Sequence, residues 1–176
     1  MNQNTDRARL DAPGLWVLLC YRVPREPSAP RIAIWRKLKR LGAGQLGDGL
    51  VGLPADARTR EQLEWIAEEV TEAGGSAGVW LARPATVSPE RELAAAMTAA
   101  RAAEYGAVAA QAAAAREAGA AARAAALRRL RGELRRITRR DYFPPAAREQ
   151  ARAAVETLAD RGDEASAVTV PARGRP

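Results

Sequence analysis

The first half of the chain combines short apolar runs with helical periodicity, beginning at residues 15–22 (LWVLLCYR). Both alternating faces of that run are apolar, so it predicts a strand whose sheet is covered on both sides. A helix is predicted from about Pro30 to Leu41, because apolar residues recur there at helical spacing and Gly42 follows as a stop signal. Its predicted core stripe consists of Ile34, Trp35, Leu38 and Leu41.

A hairpin and a second helix are predicted next. Residues 43–46 and 49–53 indicate two short strands, joined by a tight turn at residues 47–48. Thr59 is predicted to cap the following helix, with Gln62 three residues later completing a capping box. The glutamates of that helix are interpreted as a solvated face.

These elements, with a last strand predicted over residues 77–82, give the order β-α-β-β-α-β. That order is the split βαβ arrangement, with both helices on one face of a four-stranded antiparallel sheet. The sequence therefore predicts an α+β fold with a ferredoxin-like domain over residues 15–86. Residues 1–14 are expected to form a disordered leader, and residues 162–176 a disordered tail.

Alanine and arginine dominate the intervening region, residues 87–161, which is predicted to form a helical extension. A helix is clearest over residues 120–139, since apolar residues repeat there at i, i+3, i+7 and i+10. This stripe consists of Leu127, Leu130, Leu134 and Ile137. A further helix is predicted over about residues 146–160. Because these stripes are weak, we expect the extension to pack on the second face of the sheet.

Positive charge is concentrated in one short stretch. Residues 120–140 carry eight arginines against a single acid, Glu133, and this excess equals the formal net charge of the whole chain, +7. Such a cluster is typical of a surface that binds a polyanion, or an acidic protein or lipid. A coding bias toward arginine and alanine is the alternative interpretation.

Catalytic chemistry has little to use in this sequence. There is no histidine, which removes the usual general base at neutral pH and most transition-metal sites. Small CRISPR-associated nucleases share the predicted fold and carry an acidic metal ligand near the end of the first strand. The corresponding residues 20–22 (CYR) contain no acid, so we do not expect metal-dependent nuclease activity. Residues 42–47 match G-x-G-x-x-G but follow a helix, so we interpret them as a helix stop and a turn. We predict a non-enzymatic protein without cofactor or metal.

The location is predicted to be cytoplasmic. Cys20 is the only cysteine, which fits a reducing compartment, and its place within an apolar strand predicts a buried, inert residue. No run of about 18 uncharged apolar residues exists, and the N-terminus lacks the apolar region of a secretory signal. We therefore expect no membrane association.

Two sets of basic residues are the candidate binding residues. One lies on the first predicted helix and the other follows one side of the later helix at i, i+3, i+7 and i+11. Guanidinium groups bind phosphate and other tetrahedral oxyanions in a bidentate manner. The candidates for nucleic-acid or oxyanion binding are Arg31, Arg36, Lys37, Arg40, Arg128, Arg131, Arg135 and Arg139.

Residues 29–43 (APRIAIWRKLKRLGA), closed by Leu53-Pro54, closely resemble the N-terminal domain of ChrB-type chromate-resistance proteins. The first strand and the Arg139–Pro144 element (RRDYFP) extend the resemblance, which covers about residues 15 to 160. The chain is more distantly similar to the sheet domain of phenylacetate-degradation repressors. Arg31, Trp35 and Arg36 match the family pattern directly.

This resemblance implies a chromate-responsive transcriptional regulator that controls a chromate efflux transporter. Our first hypothesis is a DNA-associated regulator, with a homodimer as one option, whose arginine-rich helix contacts phosphates. The alternative is an oxyanion-binding or protein-interaction module of a chromate-resistance system with no DNA binding of its own. The expected ligands are therefore DNA, and chromate or a similar oxyanion.

Overall fold

The computed structural model describes residues 14–167, with side chains described for residues 14–159. The chain divides into two compact units after Thr98, which lies within the longest helix. Residues 1–13 of the predicted leader and residues 168–176 of the predicted tail lie outside the described residues.

The first unit follows the order β-α-β-β-α-β that the sequence predicts. Its four strands form one antiparallel sheet in the order β2-β3-β1-β4. The predicted mixture of helices and an antiparallel sheet is therefore confirmed. The elements are β1 (Trp16–Arg22), α1 (Ser28–Leu41), β2 (Gly44–Gly47), β3 (Leu50–Pro54), α2 (Ala57–Glu72), β4 (Ser76–Ala82) and the beginning of α3 (Val87–Ala114).

One face of the sheet holds the main core of this unit. Val17 and Leu19 of β1 are fully buried there, and the antiparallel register places Leu53 and Val51 of β3 opposite them. Helices α1 and α2 cover this face with aliphatic side chains at helical spacing. These side chains are Ile34, Leu38, Leu63, Ile66 and Val70.

The placement of Trp35 in the core is wrong. Its neighbours Ile34 and Leu38 are buried, whereas Trp35 is 54% exposed. Consecutive residues on a helix point about 100° apart, so the row that contains Ile34 and Leu38 faces the sheet and Trp35 does not. Lys39 lies over the indole instead, with its Nζ 5.6 Å from the ring centroid, in cation–π geometry.

The capping box of α2 exists, but Thr59 is not its N-cap as predicted. Asp56 is the N-cap: its Oδ1 accepts a hydrogen bond from Thr59 N at 2.6 Å, and Thr59 Oγ1 accepts one from Asp56 N at 3.0 Å. The Thr59 hydroxyl also donates to the carbonyl of Pro54 at 2.7 Å. This fully buried threonine therefore joins the end of β3 to the first turn of α2.

The hairpin turn lies one residue later than predicted. Its left-handed position is Gly49, with a φ of 70°, so the central pair is Asp48-Gly49 rather than residues 47–48. Tyr21 N donates to Gly49 O at 2.7 Å, and a Cβ at Gly49 would lie 2.3 Å from Tyr21 O. This close approach and the positive φ both require glycine.

The other face of the sheet is partly covered by the first turns of α3. Leu93 and Met97 pack against Gly44, where a Cβ would lie 2.6 Å from Leu93 Cδ1. Trp16 is buried on this face, and its Nε1 donates to Glu90 Oε1 at 3.2 Å. Residues 87–98, predicted to belong to the extension, thus contribute to the core of the first unit.

Cys20 is exposed, so the prediction of a buried cysteine is wrong. Cys20 points to the same face of the sheet as Trp16 and Leu18, because alternate residues of a strand share a face. It lies beyond the part of that face that α3 covers. Its neighbours in the sheet are Leu50 on one side and Gly78 on the other. Gly78 contributes no side chain of its own beside the thiol.

The second unit is helical. It contains the rest of α3, a short 3-10 helix (Ala115–Glu117), α4 (Ala120–Thr138) and α5 (Ala147–Ala167). The predicted stripe of α4 is confirmed, with Leu130 and Ile137 buried, and Leu127 and Leu134 packed against them. Helix α5 continues past the predicted start of the tail. The buried core consists of Tyr105, Val108, Ala112, Leu130, Ile137, Ala151, Val155 and Leu158.

Candidate functional site

Three of the predicted binding arginines line one groove in the second unit. Arg131 and Arg135 project from α4, Arg139 follows its last residue, and Arg152 projects from α5. The groove has a volume of about 450 Å³. We call it the arginine groove; its lining consists of Arg131, Leu134, Arg135, Thr138, Arg139 and Arg152.

The helical repeat explains why these residues share one side of α4. Leu127, Leu130, Leu134 and Ile137 turn toward the core of the unit. Arg131, Arg135 and Thr138 each follow a member of that stripe by one position, so they form a second row beside it. The packing of the apolar stripe therefore fixes the direction of the arginine row.

The arginines of α4 differ in their partners. Arg129 Nη1 donates to Gln111 Oε1 at 2.6 Å, and Arg136 Nη2 donates to Glu133 Oε2 at 2.7 Å. Arg131 and Arg135, by contrast, make no hydrogen bond or ion pair with any described residue. Their guanidinium groups therefore keep all of their donors available to a ligand.

Arg152 is the groove residue that the sequence did not single out. Its Nη1 lies 3.2 Å from Glu149 Oε1, one turn earlier on α5, and Glu149 is mostly exposed. An exposed pair of this kind is weak, so an incoming anion can compete for the guanidinium. The sequence spacing does contain a signal for this residue. Arg152 directly follows Ala151 of the α5 core, as Arg131 and Arg135 directly follow stripe residues of α4.

A buried polar network lies beneath the groove at Thr138. Tyr105 is fully buried, and its hydroxyl donates to Asp141 Oδ2 at 2.9 Å and lies 3.4 Å from Thr138 Oγ1. The Asp141 side chain has no exposed surface, and Arg148 Nη1 lies 3.8 Å from Asp141 Oδ2. This network joins the end of α4 to α3 and α5.

Burial is the main reason that the pKa of Tyr105 lies above its ordinary value of 10.0. The hydrogen bond to Asp141 and its negative charge also raise this pKa, while Thr138 and Arg148 oppose the shift. The phenol is therefore neutral at physiological pH and can donate its proton to the carboxylate. The groove floor therefore includes a hydrogen bond whose phenol donor keeps its proton at neutral pH.

The remaining predicted residues are not in the groove. Arg128 is exposed one turn before Arg131 and is not part of the lining. Arg31, Arg36 and Arg40 are exposed on α1 in the first unit. Lys37 forms an ion pair with Glu69 of α2, so its charge is partly compensated.

Among the described residues, no group of three or more histidine, cysteine, aspartate or glutamate side chains is placed to hold a metal ion. Nor does any helix in the described residues have the length and apolarity needed to cross a membrane. In the part of the chain that the structure describes, the lining of the arginine groove contains four arginines and no carboxylate, an arrangement suited to binding tetrahedral anions.

The family described as "Protein ChrB, N-terminal" matches residues 31–172, which is most of the chain and includes all but the first three residues of α1 and the whole arginine groove. Neither a curated protein nor a solved structure gives a significant match.

Proposed function

The chain belongs to the family of ChrB N-terminal domains, and on that premise we propose that it is a DNA-binding regulator of chromate resistance. Family membership associates the protein with chromate resistance. The observation that carries the DNA-binding part is the arginine groove, in which Arg131 and Arg135 have no partner among the described residues.

Phosphate is the chemical group that this groove fits best. Arginine forks bind phosphate oxygens with two parallel hydrogen bonds, and they do not lose their charge at any physiological pH. Arg131 and Arg135 are one turn apart on α4, and Arg152 faces them from α5. Contacts of this kind position a protein on DNA without reading its sequence, so the proposed groove supplies affinity rather than base specificity.

We also propose that the first unit is ferredoxin-like. The order β-α-β-β-α-β and the sheet order β2-β3-β1-β4 support this assignment. So does the placement of α2 against the central strand β1, which carries the buried Val17 and Leu19, with α1 beside α2. In this arrangement the unit is a scaffold, and the proposed binding surface lies in the helical unit.

A non-catalytic role in the cytoplasm completes the proposal. The sequence has no histidine and a single cysteine, Cys20, which favours binding over acid–base chemistry and fits a reducing compartment. We therefore expect regulation through equilibrium binding.

The proposal is tested by measuring duplex DNA binding over a range of salt concentrations. We expect log K to fall linearly with log salt for the wild-type chain, because bound arginines release counterions from the phosphates. The double variant Arg131→Gln, Arg135→Gln should bind about tenfold or more weakly to every sequence and show a shallower salt slope, by about two.

A matched control lies on the same helix. The double variant Arg129→Gln, Arg136→Gln removes the same charge from α4, but from residues that bind Gln111 and Glu133. It should retain most of the affinity. Equal losses in both double variants would show that only net charge matters, and an absence of salt-dependent binding by the wild type would reject the proposal.

The second candidate is an oxyanion-binding module without DNA affinity. The observation that favours it is the threonine within the groove: Thr138 offers a hydroxyl among the guanidinium groups, which suits a single tetrahedral anion. Calorimetric titration with chromate, and with sulfate for comparison, separates the two candidates. Binding of either anion that is lost in Arg131→Gln, Arg135→Gln, together with no DNA binding by the wild type, would favour this alternative.

A further inference from the structure

Strand β4 forms one edge of the sheet. It pairs with β1 along its full length, from Trp16 opposite Ala82 to Arg22 opposite Ser76. On its other side, no strand of the described chain is hydrogen-bonded to it. One row of backbone N–H and C=O groups of β4 therefore has no strand partner.

This edge lacks the features that usually prevent strands from pairing between molecules. Its seven residues (SAGVWLA) contain no charge and no proline. Its register with β1 runs without a bulge. The opposite edge, β2, has four residues and a register shift between Gln45 and Gly47. Short length and irregular register protect β2, whereas β4 is open to a further strand.

Large apolar side chains are exposed on both faces of β4. Trp80 is 64% exposed and Leu81 is 55% exposed, and successive residues of a strand point to opposite faces. A strand added at this edge would extend both faces of the sheet and cover part of each side chain. Isolated exposed residues are ordinary, but an uncharged edge flanked on both faces by such residues favours an interface.

We propose that β4 pairs in an antiparallel manner with β4 of a second copy of this chain, joining the two sheets edge to edge. The strand is self-complementary about Val79: Gly78 then faces Trp80 of the other copy, and Ala77 faces Leu81. No like charges meet anywhere along this pairing. Symmetry of this twofold kind is the commonest form of self-association in soluble proteins.

Gly78 gives the indole of Trp80 room to lie along its own strand. Within one copy this indole leans over Gly78, where a Cβ would lie 3.0 Å from Trp80 Nε1. Trp80 nevertheless stays mostly exposed, so a facing strand would cover part of its ring.

The test is sedimentation velocity on the full chain from about 1 µM to about 100 µM, a range that covers weak to moderate affinity. We expect the dimer fraction to rise across this range. Trp80→Lys should weaken dimerisation about tenfold or more, because it places two ammonium groups at the pairing edge. The matched control is Trp65→Lys, which makes the same change at a tryptophan that is 58% exposed on α2.

A wild-type chain that remains monomeric throughout this range would overturn the proposal, as would equal weakening by Trp65→Lys. Hydrogen exchange on the wild type gives an independent measurement if Trp80→Lys does not fold. Protection of residues 76–82 should increase with protein concentration, while residues 44–47 of the other edge should not change. Hydrogen exchange of residues 76–82 that does not change with protein concentration would also reject the pairing. Neither measurement depends on DNA binding, so this inference and the proposed function can fail separately.

Discussion

Helices α1 and α4 are both strongly basic, yet their surroundings differ. Helix α1 carries five basic residues and no acid, and it packs beside α2, which carries five glutamates. The Lys37–Glu69 ion pair connects the two helices. Helix α4 packs beside α5, and the groove between them adds Arg152 to the arginines of α4. An ion pair thus compensates part of the charge of α1, whereas Arg131 and Arg135 of α4 make no ion pair with any described residue.

The two helices also differ in how they are held in place. The α1–α2 contact includes an ion pair whose side chains are both more than one-third exposed. The end of α4 lies above the buried network of Tyr105, Thr138 and Asp141. An exposed pair adds little to stability, whereas a buried network loses much when one member is removed. This comparison indicates that the α4 surface is the more rigid platform for a ligand.

The largest expected effect concerns this network. Asp141→Ala should lower the free energy of unfolding by about 3 kcal/mol, because it leaves the buried Tyr105 hydroxyl without its acceptor and removes the carboxylate that faces Arg148. Urea denaturation measures the change. Glu149→Ala, which removes an exposed carboxylate from α5, is the control and should cost less than about 1 kcal/mol. Equal costs would mean that the network does not stabilise the end of α4.

Charge reversal on each helix tests the electrostatic part of the comparison. Arg131→Glu with Arg135→Glu should weaken duplex DNA binding by about 2 kcal/mol or more, because two phosphate contacts become repulsive. The same reversal at Arg36 and Arg40 of α1 should have a much smaller effect. Fluorescence anisotropy with a labelled duplex at fixed salt compares the two. A larger loss for the α1 variant would move the proposed interface to the first unit.

A pH dependence follows from the raised pKa of Tyr105. Its phenol ionises at lower pH in the unfolded chain, near 10.0, than in the folded chain, so the folded state binds more protons in this range. The stability that the neutral phenol contributes is therefore complete below about pH 10 and is lost as pH rises toward the folded value.

The measurement is the unfolding free energy of wild type minus that of Tyr105→Phe, by urea denaturation between about pH 9 and pH 11. The difference should decrease with pH by at most about 1.4 kcal/mol per unit. The pKa of Tyr21 is also raised by burial, but Tyr21 is present in both proteins and cancels. A difference that stays constant would show that Tyr105 ionises alike in both states.

The smallest expected effect is on the α1 side. Lys37→Met should change the free energy of unfolding by less than about 1 kcal/mol, since both members of its pair with Glu69 are partly exposed. Thermal or urea denaturation measures it, with Arg36→Met as the control for loss of one exposed charge from the same helix. If Lys37→Met lowered the free energy of unfolding as much as Asp141→Ala, the exposed ion pair would hold α1 as firmly as the buried network holds the end of α4.

The sequence predicted the elements of the sheet unit because each of them carries a local signal. Pro24 and Gly42 mark where β1 and α1 end, and the leucine stripe marks α4. The arginine row followed from the same periodicity, since a helix that buries one row must expose the next. Local sequence was therefore sufficient for element order and for three of the four groove arginines.

Errors arose where two local solutions were equally good. Asp56 and Thr59 are both capable N-caps, and the hydrogen bond from Thr59 N to Asp56 Oδ1 shows that Asp56 begins α2. Residues 47–49 contain two glycines, and the carbonyl of Tyr21 decides which of them takes the left-handed position. A local hydrogen bond selected the first alternative, and a contact from a distant part of the unit selected the second.

By itself, the sequence determined the strand and helix order, the positive cluster and the family, because these depend on composition and on spacing along the chain. The tertiary structure decided which side chains are buried and which arginines are paired. Trp35, Cys20 and Arg152 illustrate this. Burial and pairing depend on what lies opposite a residue in space, and periodicity gives only the direction in which a side chain points.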